Sequence, residues 1–319
     1  MRTPLPQALK SRLRPTGQWL AIALSQSELS PQLTLTVAGR AFDVSLNSAV
    51  AAMRPFTLRI GLNAELQPAL RQDAQPKLEV TDPQVAGLIG VLRLRYLRDW
   101  QTAGAAMALF DVVQGAHFCA PWVRRTWDTW MYRRAARRKG LENLLMLPDA
   151  VEQMMVFYLR PRPVFFVSVD DGQHANVFPM DLVGPLQPGL FTMALRNTSP
   201  SVETMKRTRR VALGDVPGNA CAIAYQLGAH HKKQQIDWST LPFNALRSQQ
   251  FALRVPDIAL RIREVEFLDF QAVGSHTLFV GRICSEQPLR SGPQLCHTSG
   301  AHQRLRARLG RPFEEAMQT

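Results

Sequence analysis

Residues 196–204 gather Arg196, Asn197, Thr198, Ser199, Ser201 and Thr204 within nine positions. Hydroxyls and backbone amides donate hydrogen bonds to phosphate oxygens, and an arginine adds charge and bidentate geometry, so this cluster can hold a phosphorylated ligand. The same residues also suit a helix start, since Ser201-Val202-Glu203-Thr204 is half of a capping box. The two readings are compatible, because a helix start is itself an anion site. Other chemistry finds little support. Cys119, Cys221, Cys284 and Cys296 are widely spaced and form no C-x-x-C pair. His230-His231 has no third ligand at metal-binding spacing, so no metal is expected. Neither a Ser-His-Asp set nor a carboxylate pair stands out.

The elements that must position this cluster are extended. An apolar run at 164–169 leads through Asp170-Asp171-Gly172 into a loop rich in Pro and Gly, and a second apolar run follows at 190–195. Strands dominate from Pro163 onward, at 163–169, 176–180, 190–196, 210–216, 251–254, 258–270 and 276–287, with one helix near 200–208.

The first half reads as strands followed by helices. Period-two alternation at 32–37 and 41–46 about Gly39 predicts a hairpin, and 56–62 alternates again. A short helix is expected at 47–53 and a further strand at 77–80. Asp82-Pro83 resembles a helix start, and Val85, Leu88, Ile89, Leu92 and Tyr96 recur at three- and four-residue intervals. The pattern predicts helices at 82–96, 99–114, 121–140 and 148–157. Segment 121–140 carries seven Arg/Lys against one Asp, with Trp122, Trp127 and Trp130 among them. Its aromatics are expected to pack on the domain while its arginines face water; a nucleic-acid or membrane-surface role is the alternative. Arg160-Pro161-Arg162-Pro163 marks a domain boundary, and no internal repeat is visible.

At 319 residues, 46% hydrophobic and 20% charged, the chain can bury two cores, and its net charge of +13 favours anionic partners. The apolar segment 20–24 is too short for a secretory signal, and no run approaches the ~20 residues that span a bilayer. A soluble cytoplasmic protein is expected, and nucleic acid is not an expected partner.

Residues 162–288 resemble the flavin reductase-like FMN-binding split-barrel family. The resemblance rests on Pro163-Val164, Asn176-Val177-Phe178-Pro179-Met180-Asp181, the Ser199-x-Ser201 pair before a short helix, and Gly274-Ser275-His276-Thr277-Leu278-Phe279-Val280-Gly281. It implies an antiparallel split β-barrel that forms a homodimer with FMN near the subunit interface. It places the flavin ring against Asn176 and Pro179, Met180, Asp181, Leu182 and Val183, and the phosphate at Ser199 and Ser201 with Arg196 and Thr198 beside them. His276 then lies near the flavin and an incoming NADH or NADPH. Residues 225–238 form either a solvated loop or a lid, in which His231, Lys232 and Lys233 meet substrate or nicotinamide phosphates and Trp238 covers the ring. The family commonly has Asp where this chain has Ser275, and Ser or Thr where it has Pro179-Met180-Asp181.

The expected fold class is therefore α+β: a mixed strand-then-helix domain at 1–160, a split barrel at 161–290 and a basic tail at 291–319. The expected function is FMN-dependent oxidoreduction, with hydride from NAD(P)H passed to a flavin, a partner oxygenase or another acceptor. An electron carrier or sensor without nicotinamide turnover is the alternative.

Overall fold

The computed structural model describes residues 19–25, 28 and 31–316, apart from 74, 86, 103 and 140–145. The basic N-terminal segment before Trp19 and the expected helix end at Gly140 lie outside the described residues.

Strand β1 (Trp19–Leu24) is followed by the hairpin β2 (Gln32–Val37) and β3 (Arg40–Asp43). Leu33, Leu35 and Val37 point into the core with no exposed surface, as their alternation predicts. The two turn residues, Ala38 and Gly39, have φ of 49° and 75°, the left-handed pair that a two-residue hairpin turn demands. Strands β4 (Ser48–Met53) and β5 (Phe56–Gly61) form the next hairpin. The short helix expected at 47–53 is thus a strand. All six β4 residues are buried and all but Ala51, at a bulge, pair with β5; burial on both faces outweighs the helix preference of three alanines.

Helix α1 (Leu66–Leu70) leads to β6 (Lys77–Asp82), β7 (Gly87–Thr102) and β8 (Ala105–His117). The helices expected at 82–96 and 99–114 are therefore the two arms of one long hairpin. The register shifts between Arg93 and Leu94 and again between Tyr96 and Arg98. The first leaves Val113 of β8 as the extra residue and the second Leu97 of β7, and against β6 the extra residue is Ile89; each breaks the period of two, so the apolar positions imitate helical spacing. Asp82 is no helix cap: its carboxylate accepts hydrogen bonds from the Gln84 N–H at 2.8 Å and His302 Nε2 at 2.7 Å. Helices α2 (Trp122–Lys139) and α3 (Pro148–Phe157) form where expected.

The second half runs β9 (Arg162–Pro163), β10 (Phe165–Asp170), β11 (Ala175–Met180), β12 (Val183–Gln187), β13 (Leu190–Arg196), α4 (Ser201–Thr208), β14 (Arg210–Asp215), α5 (Cys221–Leu227), β15 (Ala245–Arg247), β16 (Arg254–Pro256), β17 (Arg261–Val273), β18 (His276–Pro288), β19 (Gln294–Ser299), α6 (Gly300–Arg308) and β20 (Glu314–Glu315). Cys221 is buried as its apolar run suggests, whereas Cys284 on β18 is half-exposed.

Two antiparallel sheets of seven strands dominate. Their orders are β3-β2-β6-β7-β8-β5-β4 and β11-β10-β14-β17-β18-β13-β12, each an open run. The connectivity follows one plan: two short hairpins, a short helix, a single strand, a long hairpin, with α5 and β15–β16 inserted before the long hairpin of the second half. The repeat absent from the amino-acid sequence is present in the topology, and the first half is predominantly strand.

The halves meet reciprocally, as two copies of one surface would. The β4–β5 turn abuts the β17–β18 turn, where Ser275 N–H donates to the Arg54 carbonyl at 2.8 Å and Arg54 N–H to Ser275 Oγ at 3.1 Å. Correspondingly, the β12–β13 turn reaches the β7–β8 turn through Gln187 Nε2 and the Gly104 carbonyl. Gly274, at φ 51°, admits this approach, since a Cβ there would lie 2.3 Å from the Arg54 carbonyl oxygen. Between the sheets Arg59 is fully buried. Its guanidinium donates to Thr192 Oγ1 (2.7 Å) and to the carbonyls of Asn47 (2.9 Å), Gly184 and Pro185 (both 2.8 Å). Burial lowers it to about 9. One apolar cluster runs through both halves, from Leu33 and Phe110 to Leu213 and Phe279. A third sheet, β20-β1-β19-β9, joins the start of the described chain to its end, so residues 291–316 are packed structure. Among the described residues no helix is long and apolar enough to cross a membrane.

Candidate functional site

The hydroxyl cluster lies where β13 ends and α4 begins, against the first residue of β18. Asn197 fixes this junction. Its N–H donates to the Ser275 carbonyl (3.1 Å), its Nδ2 to the Gly274 carbonyl (3.0 Å), and its Oδ1 accepts from Thr277 Oγ1 (2.9 Å). Helix α4 starts after Pro200 with no side-chain cap bond, so the capping box is not made. Ser201 is buried, and its Oγ has no partner among the described residues.

Arg196 is half-buried and, among the described residues, has neither an ion pair nor a hydrogen-bond partner; burial lowers its guanidinium. Two imidazoles sense its charge. His276 is buried and pushed down to about 4, first by burial and then by Arg196. Its Nδ1 accepts from the Met53 N–H at 3.4 Å and lies 2.8 Å from Ser275 Oγ, which makes it a neutral ring with the proton on Nε2. His231 is also lowered, by burial foremost; the Gly228 carbonyl opposes the shift and Arg196 adds to it. His231 Nε2 is buried without a partner. An uncompensated guanidinium and an orphaned hydroxyl, with helix amides opening beside them, are suited to an anion.

The 3-10 turn Gly228–Lys232 lies over this junction. Ser199 Oγ donates to the His231 carbonyl (2.7 Å), and Asn176 Nδ2 to the carbonyls of His230 (2.9 Å) and Lys233 (2.8 Å), leaving Asn176 Oδ1 unpartnered. Asn176, Arg196, Ser199, Ser201, His231 and His276 are thereby brought together, along with the Met53–Arg54 backbone from the first half. Thr198, Lys232 and Lys233 are exposed around them. Trp238 packs elsewhere, in a second cluster with Phe166, Val177 and Phe243, the last at 6.5 Å.

Of the expected ring contacts, Met180, Leu182 and Val183 are buried in the main core, while Pro179 and Asp181 keep some exposure. Asp181 Oδ2 accepts from His297 Nδ1 (2.8 Å) and Tyr158 OH (3.0 Å). Burial raises the Asp181 carboxyl, but the hydrogen bonds from His297 and Tyr158 outweigh it and hold the group below the ordinary range. Burial first, and then Asp181, push the Tyr158 phenol well up. Asp181 fixes the His297 ring with its proton on Nδ1. Sequence reasoning missed Tyr158 and His297, since residues 158, 181 and 297 carry no shared local pattern. Among the described residues no group of three or more His, Cys, Asp or Glu could hold a metal ion.

No family model and no curated protein matches this chain. Solved structures similar to it include an FMN-binding protein from Thermus thermophilus, at 21% identity over 41% of this chain and 74% of that one, with a TM-score of 0.37. An NADH:FAD oxidoreductase from Streptomyces globisporus matches at 15% identity over 48% and 90%, with a TM-score of 0.43. The flavin reductase component of a bacterial two-component tryptophan halogenase gives 15% identity over 48% and 95%, with a TM-score of 0.43.

Proposed function

We propose that this chain is a flavin-linked oxidoreductase that holds FMN at the junction of its two halves. One observation carries the reading: Arg196, with no counter-charge among the described residues, lies close enough to the buried His276 and the half-buried His231 to lower both, beside the orphaned Ser201 Oγ. These groups suit the FMN phosphate, and the first turn of α4 adds its amides. Pro179 and Asp181 are the two loop residues able to face the ring. When bound, the flavin would supply the two-electron chemistry, with NADH or NADPH as hydride donor and a free flavin, a partner oxygenase or another acceptor downstream. The protein's own part is to anchor the phosphate and to keep His276 neutral as an Nε2–H donor.

The homodimer expected from the resemblance has an internal counterpart in this reading. The first half, with the same strand order, occupies the position of a second subunit and contributes the Met53–Arg54 backbone. We therefore expect one flavin per chain and a monomer in solution. A cytoplasmic setting suits four free thiols.

A second reading is favoured by the turn Gly228–Lys232, which engages Ser199 and Asn176, and by Ser275 standing where the family commonly has Asp. Here FMN is held by an electron carrier or sensor without nicotinamide turnover. Reconstitution with FMN followed by anaerobic NADH or NADPH decides. A yellow protein that bleaches supports the reductase, a yellow protein that stays oxidised supports the carrier, and failure to retain FMN at micromolar concentration refutes both.

A further inference from the structure

Helix α2 departs in part from the expected arrangement: Arg133 and Arg134 face water and Tyr132 faces inward, but the tryptophans face outward as well. Arg125, Asp128, Thr129 and Tyr132 line the inward side, against His117 and Glu152. The outward side carries Trp122 at 72% exposure, Val123 at 60% and Trp130 at 48%. These positions lie on one face of a 3.6-residue helix, since 122, 123, 127 and 130 all fall within about 140° of arc. Trp127 and Trp130 stack with ring centroids 5.2 Å apart, and the Arg134 guanidinium sits 5.5 Å from the Trp130 ring. The flanking segments add Phe118 at 49%, Val113 at 50% and Leu147 at 44%. More than half of the large apolar side chains exposed in the described chain belong to this one region, which also holds seven basic residues and one acid between 121 and 140.

Contiguous exposed apolar surface marks a contact site, and its chemistry selects the partner. A second copy of this chain would bring one strongly basic helix against another. Single-stranded nucleic acid would stack on the tryptophans, but has no use for Val113, Val123 and Leu147. Aliphatic side chains, indoles and arginines together match the boundary between acyl chains and anionic headgroups, where indoles sit at headgroup depth and arginines meet phosphates. We infer that the outer face of α2 docks the protein peripherally on an anionic lipid bilayer, the helix lying in the plane of the surface. With the overall charge of +13 the remaining surface is drawn the same way. This inference is independent of the flavin reading.

The test uses the full chain with vesicles of phosphatidylcholine alone or containing about a quarter phosphatidylglycerol, followed by co-sedimentation and by quenching of tryptophan fluorescence with acyl-chain bromine. The expected result is binding to the anionic vesicles with quenching, weakened by salt. Trp122→Ala with Trp130→Ala should lower vesicle affinity by about tenfold or more, and Arg134→Gln by about fivefold. Both sets replace exposed side chains, and an unchanged melting temperature and flavin content will show that the fold is intact. Vesicle binding that is equal with and without phosphatidylglycerol, or indifferent to the tryptophan pair, overturns the inference. So does a wild-type chain that ignores vesicles but binds single-stranded nucleic acid, an acidic protein or itself through the same tryptophans.

Discussion

The two seven-stranded sheets share a strand order and differ at corresponding corners. In the second half β13 ends in Arg196 and α4 begins uncapped, with Ser201 Oγ unpartnered. In the first half β5 ends in Gly61, and the helix that follows is capped by its own sequence: Asn63 Oδ1 accepts the N–H groups of Glu65 (3.1 Å) and Leu66 (2.7 Å). Where the long hairpin of the second half starts its return arm with His276, the first half has Ala105. The matching hollow of the first half, about 610 Å³, is lined by Asp43, Asn47, Asn63, Leu186 and Phe191 among others, and no lysine or arginine lines it. One scaffold is used twice. At one corner the helix start is closed by a local cap, and at the other polar atoms are left without partners among the described residues.

Four predictions probe that contrast. The largest effect belongs to the seam. Arg59→Leu strands the carbonyls of Asn47, Gly184 and Pro185 and should cost about 4 kcal/mol in urea unfolding. An exposed arginine such as Arg40, paired with Glu65, should cost under about 1 kcal/mol. An equal, small loss at both would mean that the halves do not depend on this guanidinium.

The second prediction concerns pH. His276 and His117 are both lowered from 6.5 to about 4, each by burial first, then by Arg196 and Arg125 respectively. A depressed histidine leaves the native state with fewer protons than the unfolded chain. Stability should therefore be complete above about 6.5, fall as pH drops towards 4, and level off below that. The loss is on the order of 3 kcal/mol for each ring. Inorganic phosphate or FMN beside Arg196 would offset the guanidinium charge and raise His276, leaving His117 where it was. NMR titration of the two imidazoles, with and without the anion, reads this directly. Parallel behaviour of both rings would remove Arg196 from the anion site.

Third, Arg196→Ala should weaken FMN binding by about 100-fold, and Ser199→Ala with Ser201→Ala by about tenfold, in fluorescence titrations. Unchanged affinity in either would refute the phosphate assignment. The smallest effect is at the opposite corner. Asn63→Ala removes a helix cap and should cost about 1 kcal/mol of stability while leaving FMN affinity alone. A loss of FMN there would place the ligand in the first half.

Much of the second half was legible in the amino-acid sequence because its strands alternate cleanly or are continuously apolar. Residues 190–196 form as read, as does the helix at 148–157 in the first half. The long hairpin of the first half was not legible, since the extra residues Ile89, Leu97 and Val113 shift its apolar faces and leave a helix-like spacing. The repeat was hidden because a sheet topology constrains which residues are buried far more than which they are. At the candidate site, Arg196, Ser199, Ser201 and His276 were marked by local pattern. Tyr158, His297 and the Met53–Arg54 backbone could not be, because only tertiary folding assembles contacts that span from 23 to 223 positions.

The tie between the halves has a further consequence. A site shared by two separate chains empties as they dilute apart, and any substitution in such a pair appears on both sides of the axis at once. Here the chain that runs through α2 and α3 keeps each half at a high effective concentration for the other, whatever the amount of protein. Each side can then change alone. Gly61 and Asn63 on one side, and Arg196 and Ser201 on the other, are what such freedom from enforced symmetry permits: one corner closed by its own cap, the other with polar atoms left unpartnered among the described residues.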